Sequence, residues 1–150
     1  MGIMAERVRE NIKLRQERLE LISECRQLIV SGIPAVKNEQ ELKTLCKEFM
    51  KYIEKIEKSF NDSGIDLKNN AGAQLTIVGL KGLYANQVVK WMRDHDEEFK
   101  NLGDALLNGI NKKTLSPLPA MEIVKELETR LKHYNIKLTL NGVQLLPNCN

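Results

Sequence analysis

Apolar residues recur at three- and four-residue steps through much of this chain. The pattern is strictest between Asn38 and Phe60, where Leu42, Leu45, Cys46, Phe49, Ile53, Ile56 and Phe60 share one face. Lys and Glu fill the other faces, so the stretch predicts an amphipathic α-helix. Asn38 followed by Glu41 has the spacing of a capping box, and Asn61-Asp62-Ser63-Gly64 supplies the stop. The apolar face is too wide to leave in water, so a partner helix has to cover it.

Residues 4–30 predict that partner. Val8, Ile12, Leu19, Ile22 and Ile29 fall on one heptad seam, with Arg15 and Arg26 at its missing positions. A second line, Leu14, Leu21, Cys25 and Leu28, runs beside it. The first half is dense in charge, so residues 4–18 are expected to project and 19–30 to pack. Pairs such as Glu6–Glu10 against Arg9–Lys13 would lace the projecting part. Ser31-Gly32-Ile33-Pro34 predicts the end of the helix, because glycine supplies a left-handed stop and proline forbids continuation. So short a connection makes 4–30 and 38–60 an antiparallel helical hairpin, with Leu28 and Ile29 facing Leu42 and Leu45. Two helices cannot cover each other's second stripes. The expected homo-oligomer interface therefore centres on Leu14, Leu21 and Leu28 with Arg15 near its rim, and leaves Ile12, Leu19 and Ile22 inside the chain.

Turn-forming residues from Asn61 to Gln74 carry weak periodicity and suggest a division into a hairpin at 1–62, a linker at 63–74 and a helical subdomain at 75–150. Gly79 and Gly82 interrupt the apolar run after Leu75, so a break or kink is expected there and a better helix over 85–94. Asp96 then caps a helix with Glu97 and Glu98 in its first turn and Phe99, Leu102, Leu106 and Ile110 on one face. Ser116-Pro117-Leu118-Pro119 opens a last helix faced by Met121, Val124, Leu127, Leu131 and Tyr134. Ile136 to Leu146 reads as a β-hairpin with a type I′ turn at Asn141-Gly142, pairing Leu140 with Val143 and Leu138 with Leu145. The fold class is mainly α, with about five helices: an N-terminal antiparallel helical hairpin and a C-terminal helical subdomain ending in a β-hairpin. The expected core comprises Leu19, Ile22, Ile29, Leu42, Leu45, Phe49, Ile53, Ile56, Leu102, Leu106, Val124, Leu127 and Leu131.

Composition narrows the class. The 150 residues suit one domain or two small ones sharing a core. No apolar run approaches the ~20 residues that cross a bilayer, and Met1 to Arg9 lacks the apolar stretch of a signal peptide, so no membrane partner is expected. The net charge of +3 is not segregated: the first 62 residues carry twelve basic and eleven acidic side chains, the rest eleven and nine. Nucleic-acid binders usually show a basic stripe or tail, which linear counting does not find here. Cys25, Cys46 and Cys149 lack metal-ligand spacing. Cys25 and Cys46 read as buried thiols in a reducing cytoplasm or nucleus, with a disulfide between them as the alternative.

The chain contains no G-x-x-x-x-G-K loop, no H-E-x-x-H and no G-x-S-x-G. His95 between Asp94 and Asp96 has no nucleophile or second histidine beside it in sequence. The chain thus reads as no enzyme, with no cofactor and no metal ligands. Two functions remain: a helical interaction or assembly protein that self-associates through its N-terminal helices, or a nucleic-acid-binding module. The second would use residues 85–146 as a helix-turn-helix with a β-hairpin wing, contacting nucleic acid through Lys100, Lys112 and Lys113. Its acidic start at Asp96-Glu97-Glu98 would repel phosphate. Trp91, the only tryptophan, is the candidate anchor for a protein partner.

Overall fold

The computed structural model of the protein describes residues 2–112, 117–139 and 142–145, and the chain is mainly α-helical. Helix α1 (Gly2–Gln27) runs on into a π-helical turn, Leu28–Gly32, and a last helical turn, α2 (Ile33–Ala35). Ser31-Gly32-Ile33-Pro34 therefore does not end the helix, contrary to the sequence expectation. A proline lacks an N–H and clashes with the carbonyl four residues back, and a wider turn relieves both problems. The Ile33 N–H accordingly donates to the Leu28 carbonyl, five residues back. Only at Val36, with φ −63° and ψ 133°, does the backbone become extended. Gly32 matters for packing as well. A Cβ there would lie 3.1 Å from Leu45 Cδ1, so its absence lets the π turn sit close on the next helix.

That next helix, α3 (Glu39–Asp62), begins where Asn38 Oδ1 accepts the Glu41 N–H at 2.9 Å. The Glu41 carboxylate reaches one residue further back than a capping box requires and accepts the Lys37 N–H at 2.8 Å. Leu14 and Arg18 of α1 meet Ser59 near the end of α3, and Gly32 meets Leu45 near its start, so the pair is antiparallel. Helix α4 (Ala71–His95) is capped by Asn70, which accepts the Ala73 N–H at 2.9 Å, and continues unbroken through Gly79 and Gly82. Each glycine costs about 1 kcal/mol of helix propensity. Burial of Ala73, Ile77, Leu80, Tyr84, Val88, Trp91 and Met92 along one side outweighs that cost, which is why the expected break is not found.

Asp96 separates α4 from α5 (Glu97–Lys112) and caps it by accepting the Phe99 N–H at 3.0 Å. After α6 (Pro117–Lys132), Asn135 takes a left-handed φ of 59°, a conformation asparagine tolerates, and turns the chain into β1 (Ile136–Thr139). Strand β1 pairs antiparallel with β2 (Gly142–Leu145), placing Ile136 opposite Leu145 and Leu138 opposite Val143. The expected register, Leu138 opposite Leu145, is off by two residues. A slide of two keeps every side chain on its face, so alternation of apolar and polar residues cannot distinguish the two registers. Residues 140–141 lie outside the described residues, and with them Leu140 and the first position of the expected Asn141-Gly142 turn.

One contiguous core joins these elements. Ile29, Leu42, Leu45, Phe49, Ile53, Ile56, Leu127 and Leu131 are buried in it, while Ile22, Leu102 and Leu106 are half-buried and pack against it. Val124 is half-buried. Leu19 is the exception: it is 55% exposed, like Val8 and Ile12 before it on the same seam, and that seam enters the core only at Ile22 and Ile29. At the centre Phe49 stacks on Tyr84, ring centroids 4.1 Å apart and planes 6° from parallel. The Tyr84 hydroxyl donates to the Tyr134 carbonyl at 3.0 Å, and the Cys46 thiol donates to the same oxygen at 3.6 Å. Among the described residues no helix is long and apolar enough to cross a membrane.

Cys25 and Cys46 are buried free thiols, and Cys149 lies outside the described residues. Burial raises the Cys25 thiol from 9.0 to about 12 and the Tyr134 hydroxyl from 10.0 to about 12. Both groups are neutral when protonated, so the fold holds their protons after the unfolded chain would release them. Stability is therefore full below pH 9 and falls as pH rises from 9 to about 12. Urea titrations across that range are expected to show this loss, and Cys25→Ala is expected to flatten it. A midpoint independent of pH would contradict the burial of these protons.

Candidate interaction surface

Helix α1 has two apolar lines, and the fold packs one along most of its length and the other only at Ile22 and beyond. Leu14, Leu21 and Leu28 are half-buried, and Leu21 and Leu28 pack against the core beside buried Cys25 and Ile29. Arg18 belongs to this inner line and is only 8% exposed. Its Nη1 donates to the Ser59 carbonyl and Oγ, both at 3.2 Å, and to Ser63 Oγ at 3.0 Å, while its guanidinium lies 4.4 Å from the centre of the Phe60 ring. Ser59 Oγ in turn donates to the Leu14 carbonyl at 3.4 Å. Arg18 thus closes the C-terminus of α3, where unpaired carbonyls attract a cation. Burial, and secondarily the neighbouring Arg15 charge, lowers its pKa.

Of the residues expected at an oligomer interface, Leu21 and Leu28 pack against the chain's own core, Leu14 is half-buried, and only Arg15 is exposed. The apolar surface left in solvent is the other line up to Leu19. Met4, Val8, Ile12 and Leu19 are each more than half exposed, and Ile3 stands beside them. They recur at four, four and seven residues, with Arg15 at the intervening seam position and Arg26 one heptad beyond Leu19. Residues 2–13 precede Leu14, whose carbonyl accepts from Ser59 of α3, and are nearly all exposed over about 18 Å of helix. No α1 side chain takes part in an ion pair among the described residues, so the expected lacing of Glu6 and Glu10 with Arg9 and Lys13 is not found. Arg15 and Arg26 are the only charges on the exposed apolar line, and it carries no carboxylate.

A signal for this assignment exists in the sequence. Arginine at two seam positions marks the Val8–Leu19 line as the wet one, whereas the Leu14–Leu28 line includes Cys25, a residue type that is among the most often buried. Arg18, which no hydrophobic pattern would place inside, carries no comparable signal.

The other candidate residues fall elsewhere. Trp91 is buried, donates from Nε1 to the Val36 carbonyl at 3.0 Å and stacks on His95 with ring centroids 4.4 Å apart. It serves to pin the end of α2 to α4. A cleft of about 150 Å³ beside it is lined by Ile33, Pro34, Gln87, Lys90, Trp91, Asp94 and His95, none of which is a Ser, Cys or Thr nucleophile. Lys100 is exposed and borders an open depression with Arg93, Asp94, His95 and Glu97, two of them acidic. Lys112 ends α5 and Lys113 lies outside the described residues. At the start of α5, Asp96 and Glu98 are engaged by Arg130 of α6 at 2.9 and 2.7 Å, with Glu126 at 3.2 Å. Burial works against the Arg130 charge, but these carboxylates outweigh it and raise its pKa. This network fastens α6 to the α4–α5 corner. Among the described residues no group of three or more His, Cys, Asp or Glu side chains is placed to hold a metal ion. No family model, curated protein or solved structure matches the chain.

Proposed function

We propose that this chain is a non-enzymatic helical assembly protein that self-associates through α1. The observation that carries the reading is the exposed line of Met4, Val8, Ile12 and Leu19 on a helix whose first three turns stand clear of the core. Exposed apolar residues aligned along one face, rather than scattered singly, are a mark of an interaction site. The pairing that suits it is an antiparallel two-fold one centred near Ile12. Met4 of each copy then lies beside Leu19 of the other, and Val8 lies under the aliphatic stem of Arg15. The two Arg15 charges stand about 10 Å apart along the axis in this register, where salt screens their repulsion. The buried Cys25 and Cys46 thiols suit a reducing cytoplasm or nucleus.

Ile12→Glu combined with Leu19→Glu tests the reading. Both side chains are exposed, so the fold should lose no more than about 0.5 kcal/mol, the range of ordinary surface changes. Association should be lost, as read by sedimentation velocity, with the circular dichroism spectrum unchanged. Leu21→Glu, by contrast, should lower the melting temperature, because Leu21 packs against the chain's own core. Self-association should hold or tighten as salt rises, whereas binding through phosphate contacts would weaken steeply. Oligomers that survive the double glutamate variant would sink this interface.

A further inference from the structure

Arg18 is the only charged side chain buried among the described residues, and none of the ion pairs there includes it. Buried charges are usually paired, because an unpaired one keeps most of its desolvation cost. The hydrogen bonds of Arg18 go to a carbonyl and two hydroxyls, all of them from Nη1. Nε and Nη2 donate to no acceptor among the described residues, although the guanidinium fork suits phosphate. Arg15, one turn earlier on α1 and exposed, is a second cation without an ion pair there. Burial, and after it the Arg15 charge, already works against the charge on Arg18. What this corner lacks is an anion.

Two hydroxyls meet Arg18, and only one is open to a second protein. Ser59 is 8% exposed, whereas Ser63 is half-buried and stands just past the end of α3. The Ser63 backbone is held: its N–H donates to the Ser59 and Phe60 carbonyls, the Gly64 N–H to Asn61 and the Ile65 N–H to Phe60. Gly64 takes the left-handed φ of 75° that such a helix end requires. Ser63 Oγ is thereby kept 3.0 Å from Arg18 Nη1. Asp62 precedes this serine and Asp66 follows three residues later.

We propose that Ser63 is a phosphorylation site and that its phosphoryl group supplies the missing counter-charge to Arg18. A serine kinase transfers the terminal phosphoryl group of a nucleoside triphosphate. The bond from Ser63 Oγ to phosphorus forms, the bond from that phosphorus to the bridging oxygen breaks, the nucleoside diphosphate leaves, and the hydroxyl proton passes to the kinase's base. The kinase class is one with a basic substrate groove, which complements Asp62 and Asp66. The product carries about two negative charges and three acceptor oxygens. These oxygens give the unused Nε and Nη2 donors an ionised acceptor, the arrangement in which arginine and phosphate bind bidentately. The last carbonyls of α3 and the two aspartates oppose any anion here. A free phosphate is therefore held poorly, and covalent attachment beside Arg18 overcomes the opposition by raising the effective concentration. The bound state fastens α1 to the end of α3, next to the exposed residues 2–13. The site does not depend on self-association through α1.

The full chain with phosphoserine installed at position 63 during translation tests this against the unmodified chain. Phosphorus NMR should place the second ionisation of that phosphoserine below its ordinary value of about 6, because Arg18 favours the dianion. The melting temperature should rise by about 2–4 °C. Arg18→Lys, which keeps a cation, should retain part of both effects, and Arg18→Met should abolish both. An ionisation at the ordinary value, or a lowered melting temperature, would overturn the proposal. Treatment of the wild-type chain with acidophilic serine kinases and a nucleoside triphosphate should phosphorylate Ser63, as mapped by mass spectrometry, and Ser63 left unmodified would overturn it too. Inorganic phosphate separates the other source of the same chemistry. If it raises the melting temperature of the Ser63→Ala chain as far as phosphoserine raises that of the wild type, Arg18 serves a free anion and the modification is not its ligand.

Discussion

Phe49→Ala is expected to destabilise the fold by about 3–5 kcal/mol, the range for a large aromatic removed from a packed core. Phe49 is fully buried and its ring lies flat on Tyr84. The substitution removes the buried area, leaves a cavity and takes away the ring that holds Tyr84 in position. Tyr84 in turn donates to the Tyr134 carbonyl at the point where α6 gives way to β1. Loosening it reaches the C-terminal elements as well as α3 and α4. For a chain of this length each kcal/mol moves the midpoint about 2–4 °C, so a drop of roughly 10 °C is expected. Urea denaturation provides the check. A loss below about 0.5 kcal/mol would place Phe49 outside the core and contradict the packing of α3 on α4.

The second large effect is expected at Arg18. Arg18→Ala removes charge-assisted hydrogen bonds to the end of α3, the contact with the Phe60 ring and the packing of the side-chain stem. Hydrogen bonds to a charged group contribute about 1.5–3 kcal/mol, and the lost stem adds to that, so a total of about 2–4 kcal/mol is expected. Arg18→Met loses the same hydrogen bonds but keeps most of the stem, and should cost about 1.5–3 kcal/mol, less than Arg18→Ala by the packing of the stem. The ordering of the two variants is the informative result. Equal losses would mean that the charge itself, not the filled volume, joins α1 to α3.

Much of the fold was legible in the pattern of apolar residues. The spacing from Leu42 to Phe60 is enough to define α3, its cap and its buried face, because burial of a regular stripe is nearly the whole of its energetics. The errors fall where two physical terms compete. Gly79, Gly82 and Pro34 each oppose a helix locally, and tertiary packing or a π turn overrides them at a cost local propensity cannot reveal. Leu138 offers the same face to either β register, so its alternation leaves the choice open. On α1 the two apolar lines are of similar strength, and helix rotation decides which is interior before Ile22, where both begin to pack. Arg15 and Arg26 record the answer, since arginine at a seam position is cheap only in water. The burial of Arg18 depends on Ser59 and Ser63, more than forty residues away, and on the end of α3 arriving there. No local reading of α1 contains that information.

Self-association through the exposed line of α1 is the centre of this account, and the solution mass of the wild-type chain tests it most directly. Static light scattering over a range of concentrations, at low and high salt, should give a mass that climbs from the monomer value of 17.2 kDa to at least twice that value and does not fall as salt is added. A mass that stays at 17.2 kDa at every concentration would contradict it.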